Sequence, residues 1–233
     1  VSLKDKFAGC ERIVSFGCSF TFGDELSDIV RPGPFHDVDH KKPSNLTYAA
    51  LVANHCEKPY LSKAISGGSN DQIVRLLCNH IRECPRDGIV IGWTSTIRTE
   101  YCGYELGHQT FLTGGDYRQA VIDKPEWGIF QKAHTEIMLN TPREHCLDTL
   151  TRNIFLVQHT LKQMNIPFVM INAFSDFPYR KNDLVGLDFH SPQSLYEWSE
   201  SRLYAKGPYG HPLDEAHAKY AAELIRVYDE KTA

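Results

Sequence analysis

Ile13-Val14-Ser15-Phe16-Gly17-Cys18-Ser19-Phe20-Thr21-Phe22-Gly23-Asp24 is the stretch that decides the fold. Its short apolar run, Ile13 to Phe16, is bounded by turn-formers and reads as a buried strand rather than a helix. Gly17 lets the backbone turn where a residue with a Cβ would clash. Ser19 then falls just past the carboxyl end of the strand, the edge on which open α/β sheets bind ligands. On this stretch alone Ser19 is equally a nucleophile or the cap of the next helix. Cys18 is a rival nucleophile, with a small buried residue as the preferred reading.

The units that follow repeat the pattern. Gly23 to Pro43 holds three prolines and many polar residues and reads as a loop. Within it, His36-Asp37-Val38-Asp39-His40 has metal-ligand chemistry, but no second cluster completes a site, so solvated loop charges are preferred and no metal is expected. Asn45 or Ser44 is placed to cap a helix from about Leu46 to Cys56. Pro59 to Ser66 reads as a second strand, ending in Ser66-Gly67-Gly68-Ser69-Asn70-Asp71. Paired glycines between strand and helix expose backbone N–H groups that can cradle an anion or a developing oxyanion; the plainer alternative is a tight turn. The third glycine of a dinucleotide fingerprint and the Lys-Ser/Thr of a phosphate loop are both missing. A helix from Asn70 to about Cys84 follows, with Ile73, Val74, Leu77, Cys78 and Ile81 on its core face. Asp87-Gly88 then turns into a third strand, Ile89 to Trp93, which runs out into Thr94, Ser95 and Thr96. Three successive strand, polar-loop and helix units argue for a parallel sheet with its loops gathered on one edge.

Thr94 to Cys146 is the least regular part of the chain and reads as an insertion beside that edge, with short helices around Trp127 to Leu139. Leu147 to Asn165 is an amphipathic helix that Pro167 stops, and Phe168 to Asn172 is a fourth strand. A second aromatic-rich insertion runs from Phe174 to Gly210, with a short strand near Leu184 to Leu187 and a helix near Ser194 to Leu203. The expectation is one domain over residues 1–233, with insertions at about 94–146 and 174–210. The chain closes with Gly210-His211-Pro212-Leu213-Asp214-Glu215-Ala216-His217 and a helix to about Asp229. Asp214 and His217, three apart at a helix start, can pair carboxylate with imidazole. The alternative is an aspartate cap with an incidental histidine.

The totals set outer bounds. A net charge of −4 gives no electrostatic case for nucleic acid as a partner. No stretch is long and apolar enough to span a bilayer. The amino-terminal residues lack the apolar segment of a signal peptide. Seven cysteines, an odd number without a CxxC pair, point to reduced thiols, and the cytoplasm is the expected compartment.

Taken together, these pieces resemble the SGNH (GDSL-type) hydrolase family. Gly17-Cys18-Ser19-Phe20-Thr21 is similar to the nucleophile block, Ser66-Gly67-Gly68-Ser69 to the block whose glycine N–H serves the oxyanion hole, and Asp214-Glu215-Ala216-His217 to the closing DxxH block. The third block departs from the family pattern: Gly92-Trp93-Thr94-Ser95 carries Thr94 where the family has an asparagine that donates to the oxyanion. The resemblance implies a three-layer α/β/α sandwich of flavodoxin-like type with a mostly parallel sheet. It implies an ester hydrolase with Ser19, His217 and Asp214 as catalytic triad, working through an acyl-enzyme without metal or organic cofactor. The oxyanion hole would draw on Ser19, Gly67, Gly68, Asn70 and Thr94. The implied partner is a small-molecule or carbohydrate ester, such as an O-acetylated sugar or a short-chain acyl ester. An acyltransferase and a weakly catalytic glycan- or acyl-binding module are the alternatives. Arg98 and Glu100, after the third strand, are read as a structural ion pair before a substrate contact.

Overall fold

The computed structural model describes residues 1–29, 42–96, 98–103, 107–111, 132, 136, 140–174 and 193–230. Four strands form an all-parallel sheet: β1 (Ile13–Gly17), β2 (Tyr60–Ser62), β3 (Gly88–Trp93) and β6 (Phe168–Asn172). Their spatial order is β2-β1-β3-β6. The chain thus moves outward from β1 to β2 and then crosses back to β3. The resulting switch point lies between β1 and β3, where a doubly wound sheet opens its ligand crevice. Two further strands, β4 (Thr99–Gly103) and β5 (Gly107–Phe111), pair antiparallel as a separate ribbon inside the first expected insertion.

The alternation of side chains along each strand builds two cores. Ile13, Val90, Val169 and Ile171 face one side and pack against α1 (Leu3–Phe7), α3 (Tyr48–His55) and the long closing helix α7 (Asp214–Glu230). Val14, Phe16, Ile89, Ile91, Trp93, Phe168 and Met170 face the other, against α4 (Asn70–Glu83) and α5 (Arg143–Gln163). Helices therefore cover both faces, which is the expected three-layer α/β/α sandwich. A short α2 (Ser19–Phe22) follows β1, and α6 (Leu195–Ser201) follows β6.

Local chemistry explains the boundaries. Ser194 opens α6 with a full capping box to Glu197. The helix expected to be capped by Asn45 or Ser44 begins instead after Thr47, whose hydroxyl accepts the Ala50 N–H at 3.2 Å. Ser44 is occupied elsewhere, donating to the Asp28 carboxylate while accepting the Leu46 N–H. The second strand is shorter than the apolar run suggested, three residues rather than eight, because only Tyr60–Ser62 lies alongside β1. His36 to His40 lies outside the described residues, and so do the strand near 184–187 and most of 127–139.

The junction of β1 and α2 depends on close approach. A Cβ on Gly17 or Gly92 would collide with the Thr21 side chain, and one on Gly92 would also strike the Tyr48 hydroxyl. Thr21 Oγ1 and Tyr48 Oη share a hydrogen bond of 2.9 Å directly over those two glycines. That contact explains the Gly-x-Ser-x-Thr spacing physically: the threonine folds back over the glycine that starts the turn. Gly92→Ala is expected to lower stability by about 1–3 kcal/mol, as overpacking does. The cost should be less than additive when combined with Tyr48→Phe, which removes one of the clashing atoms. Urea denaturation of the two single variants and the double variant measures the coupling.

Candidate active site

Ser19 is the first residue of α2 and is 4% exposed. As a first-turn residue its N–H has no partner within the helix. Cys18, its neighbour, is fully buried in the apolar core, so the plainer reading of that thiol holds. The glycine turn is pinned on both sides of Ser19. The Ile65 N–H donates to the Gly17 carbonyl at 3.0 Å, and Ser66 Oγ donates to the Asp24 carboxylate. Asp24 in turn donates its N–H to the Ser19 carbonyl at 3.0 Å. Within the turn, the Gly68 N–H is committed to the Ile65 carbonyl at 2.9 Å. Gly67 has φ +75°, and among the described residues its N–H makes no hydrogen bond. Of the two glycines expected at the oxyanion hole, Gly67 is the one with a donor to give.

Asn70 has a different task from the one expected. Its Nδ2 donates to the carbonyls of Thr94 at 3.0 Å and Ser95 at 3.2 Å, and its Oδ1 accepts the Thr94 N–H at 2.9 Å. Both amide hydrogens are spent on clamping α4 to the end of β3, so none is left for an oxyanion. Thr94 itself is fully buried, with its hydroxyl lacking a hydrogen-bond partner among the described residues.

Asp214 and His217 lie on the same helix, yet each bonds elsewhere. The Asp214 carboxylate accepts the Ser27 N–H at 3.0 Å and the Ser27 hydroxyl. His217 is 1% exposed, and its Nδ1 accepts the Tyr48 N–H at 3.1 Å. Its ring stacks on Tyr48 with centroids 6.0 Å apart. A ring that accepts at Nδ1 carries its proton on the other nitrogen. With Nδ1 accepting from Tyr48, the ring has no Nδ1 proton to give Asp214, which the expected triad requires.

A second imidazole is paired with a carboxylate at Nδ1. His211 Nδ1 lies 2.7 Å from Glu25 Oε2, a carboxylate whose side chain is only 4% exposed. The same carboxylate accepts the N–H groups of Tyr209 at 3.0 Å and His211 at 3.1 Å. Gly207 makes room for it, since a Cβ there would collide with the carboxyl group. Hydrogen bonds from the Gly207 N–H to the His211 carbonyl and from the Gly210 N–H to the Gly207 carbonyl, both 2.9 Å, close the loop around the acid. Glu25 holds this place with φ 70°, a conformation that costs a non-glycine residue energy and clusters at functional sites. The His211 ring packs against Phe20, next in sequence to Ser19, at 5.2 Å between centroids.

From Phe20 the wall continues to Phe174 at 5.6 Å and Tyr196 at 6.2 Å. It ends at Arg98, whose guanidinium lies 5.8 Å from the Phe174 centroid and donates to the Gly68 carbonyl at 3.4 Å. Glu100's side chain lies outside the described residues. A cavity of about 200 Å³ opens beyond Arg98, bordered by Asn70, Thr96, Thr149 and Asn153. The opposite end of the sheet carries the one trio with metal-ligand spacing among the described residues, His80, Cys84 and Asp87, whose ligand atoms lie within 4.8 Å of one another. Arg12 already supplies a cation there, donating to Asp87 at 2.9 Å and to Cys84 Sγ at 3.4 Å. We read this trio as a structural tie.

No protein-family model matches the sequence, and no curated protein matches it. Solved structures do share its fold. The acetyl xylan esterase Est2A from the rumen bacterium Butyrivibrio proteoclasticus superposes with a TM-score of 0.52 at 11% identity, over 96% of this chain and 65% of that one. A carbohydrate esterase family 2 enzyme with a carbohydrate-binding domain, from Corynascus thermopiles (Myceliophthora fergusii), gives 0.52 at 15% identity, over 95% and 66%. LAE5, an alpha/beta hydrolase from the metagenome of Lake Arreo, Spain, gives 0.51 at 13% identity, over 96% and 98%. At these identities the likeness is one of fold: an α/β/α architecture used by esterases.

Burial holds the His217 pKa down to about 4, against the opposing field of Asp214. The unfolded chain therefore binds the proton more readily than the folded one. Stability is complete above about pH 6.5 and falls progressively toward pH 4, by on the order of 3 kcal/mol. Urea titrations at pH 7.5 and 4.5 measure the loss, which His217→Asn should largely remove.

Proposed function

We propose that the protein is a serine esterase of the SGNH type, with Ser19 as nucleophile. The observation that carries this reading is the placement of Ser19 at the sheet's switch point, with the Gly67 N–H, unbonded among the described residues, on a turn pinned to both of its flanks. Ser19 Oγ attacks the carbonyl carbon of a carboxylic ester, and an imidazole takes the hydroxyl proton. The N–H groups of Ser19 and Gly67 hold the oxyanion of the tetrahedral intermediate. The C–O bond to the alcohol then breaks, and the imidazole returns the proton to the departing oxygen. Water repeats the attack on the acyl-enzyme, releasing the acid and restoring Ser19.

For substrate we favour an O-acylated carbohydrate with a short acyl group. Two of the structural neighbours are described as carbohydrate esterases. The half-buried rings of Phe174 and Tyr196 offer flat apolar surface. Of the Arg98 N–H groups one donates to the Gly68 carbonyl among the described residues, and the guanidinium borders the cavity, where it can meet hydroxyl or carbonyl oxygens.

Hydrolysis of p-nitrophenyl acetate should show a burst and should fall roughly 10⁴-fold or more in Ser19→Ala. A fluorophosphonate should add its mass to Ser19 and nowhere else. Turnover unaffected by Ser19→Ala would overturn the assignment. Acetylated xylo-oligosaccharides compared with long-chain acyl esters test the substrate class, the sugar esters being expected to give the higher kcat/KM.

A further inference from the structure

We infer that the imidazole serving Ser19 is His211, and that its acid is Glu25, contributed by the nucleophile's own segment rather than by the closing helix. The inference rests on the reading of Ser19 as nucleophile. It is carried by geometry at both histidines. His217 has its Nδ1 engaged by the Tyr48 N–H, so that nitrogen has no proton to give a carboxylate, and its ring is buried against Tyr48 of α3. Asp214, three residues earlier, spends its carboxylate on Ser27. His211 has one nitrogen engaged by a carboxylate and its ring against the residue that follows Ser19.

The tautomer follows from the partner. An ionised Glu25 only accepts, so Nδ1 of a neutral His211 carries the proton and Nε2 keeps its lone pair. In the acylation step Nε2 takes the Ser19 hydroxyl proton as the Oγ–carbon bond forms. Nδ1 keeps its own proton, and the imidazolium is stabilised by the Glu25 carboxylate. Nε2 then hands the proton to the leaving alcohol. Two backbone N–H groups, those of Tyr209 and His211, also donate to the Glu25 carboxylate. Its role is positioning and charge stabilisation through His211. Gly207 is part of the same device, being the residue whose missing side chain admits the carboxyl group.

Three readouts test this. Glu25→Gln should lower kcat for p-nitrophenyl acetate by about 10²–10⁴-fold with little change in KM, because the amide can stabilise the wrong tautomer. Glu25→Asp keeps the charge and should recover at least tenfold over Glu25→Gln, which a merely structural glutamate would not do. Proton NMR of the Ser19→Ala protein should show a strongly downfield Nδ1 proton on His211, lost in Glu25→Gln and retained in Asp214→Asn. Folded Glu25→Gln and His211→Gln proteins within about threefold of wild type would overturn the inference, as would a downfield proton located on His217. If wild type neither turns over esters nor is labelled at Ser19, the nucleophile reading itself fails. The NMR signal then separates that failure from a wrong His211–Glu25 pairing.

Discussion

A buried carboxylate, that of Glu25, joins the segment after α2 to the loop before the closing helix. The two are 186 residues apart in sequence. Its reach is answered from the other side by Asp214, which captures the Ser27 N–H and hydroxyl. Two acids, one from each segment, thus hold backbone N–H groups of the other. Charge-assisted bonds of this kind are stronger than neutral ones, and buried carboxylates require them. The Glu25 bonds, the Gly207 N–H bond to the His211 carbonyl and the packing of the ring on Phe20 together fix His211.

The two ends of the sheet differ in the same physical terms. At the amino end, Arg12, His80 and Asp87 close on one another and leave their charges paired. At the carboxyl end, backbone groups near Ser19 stay unspent among the described residues: the first-turn N–H of α2 and the N–H of Gly67. The clamp that Asn70 forms with Thr94 and Ser95 fixes the start of α4, and with it the turn that carries Gly67. A sheet that is tied at one end and furnished with donors at the other is suited to stabilising developing negative charge without reorganisation.

Much of the frame was legible in the sequence because it depends on local patterning. Phe168–Asn172 and Asn70–Glu83 fall where the apolar run and the helical spacing put them. Ser19 was legible as well, since a strand, a glycine and a serine within seven residues leave few ways to turn. The hydrogen-bond partners of the candidate side chains were less legible. Asp214 and His217 have a suggestive spacing, but spacing on a helix says nothing of which groups from elsewhere compete for the side chains. Tyr48 and Ser27, distant in sequence, win that competition. His211 carried a faint signal, a histidine just after a glycine in a loop. Its carboxylate partner had none, because no spacing rule links residue 25 to residue 211. Asn70 was likewise read as a donor when the carbonyls at the end of β3 had already claimed it.

The most direct test of the central claim is the crystal structure of the protein after reaction with a fluorophosphonate. The account predicts a phosphonyl group on Ser19 Oγ, its phosphoryl oxygen accepting from the N–H groups of Ser19 and Gly67. It also predicts His211 Nε2 within hydrogen-bond distance of the serine oxygen, with Glu25 still on Nδ1. An adduct on another residue would contradict the account. So would an adduct on Ser19 with His217 turned toward it and paired with Asp214.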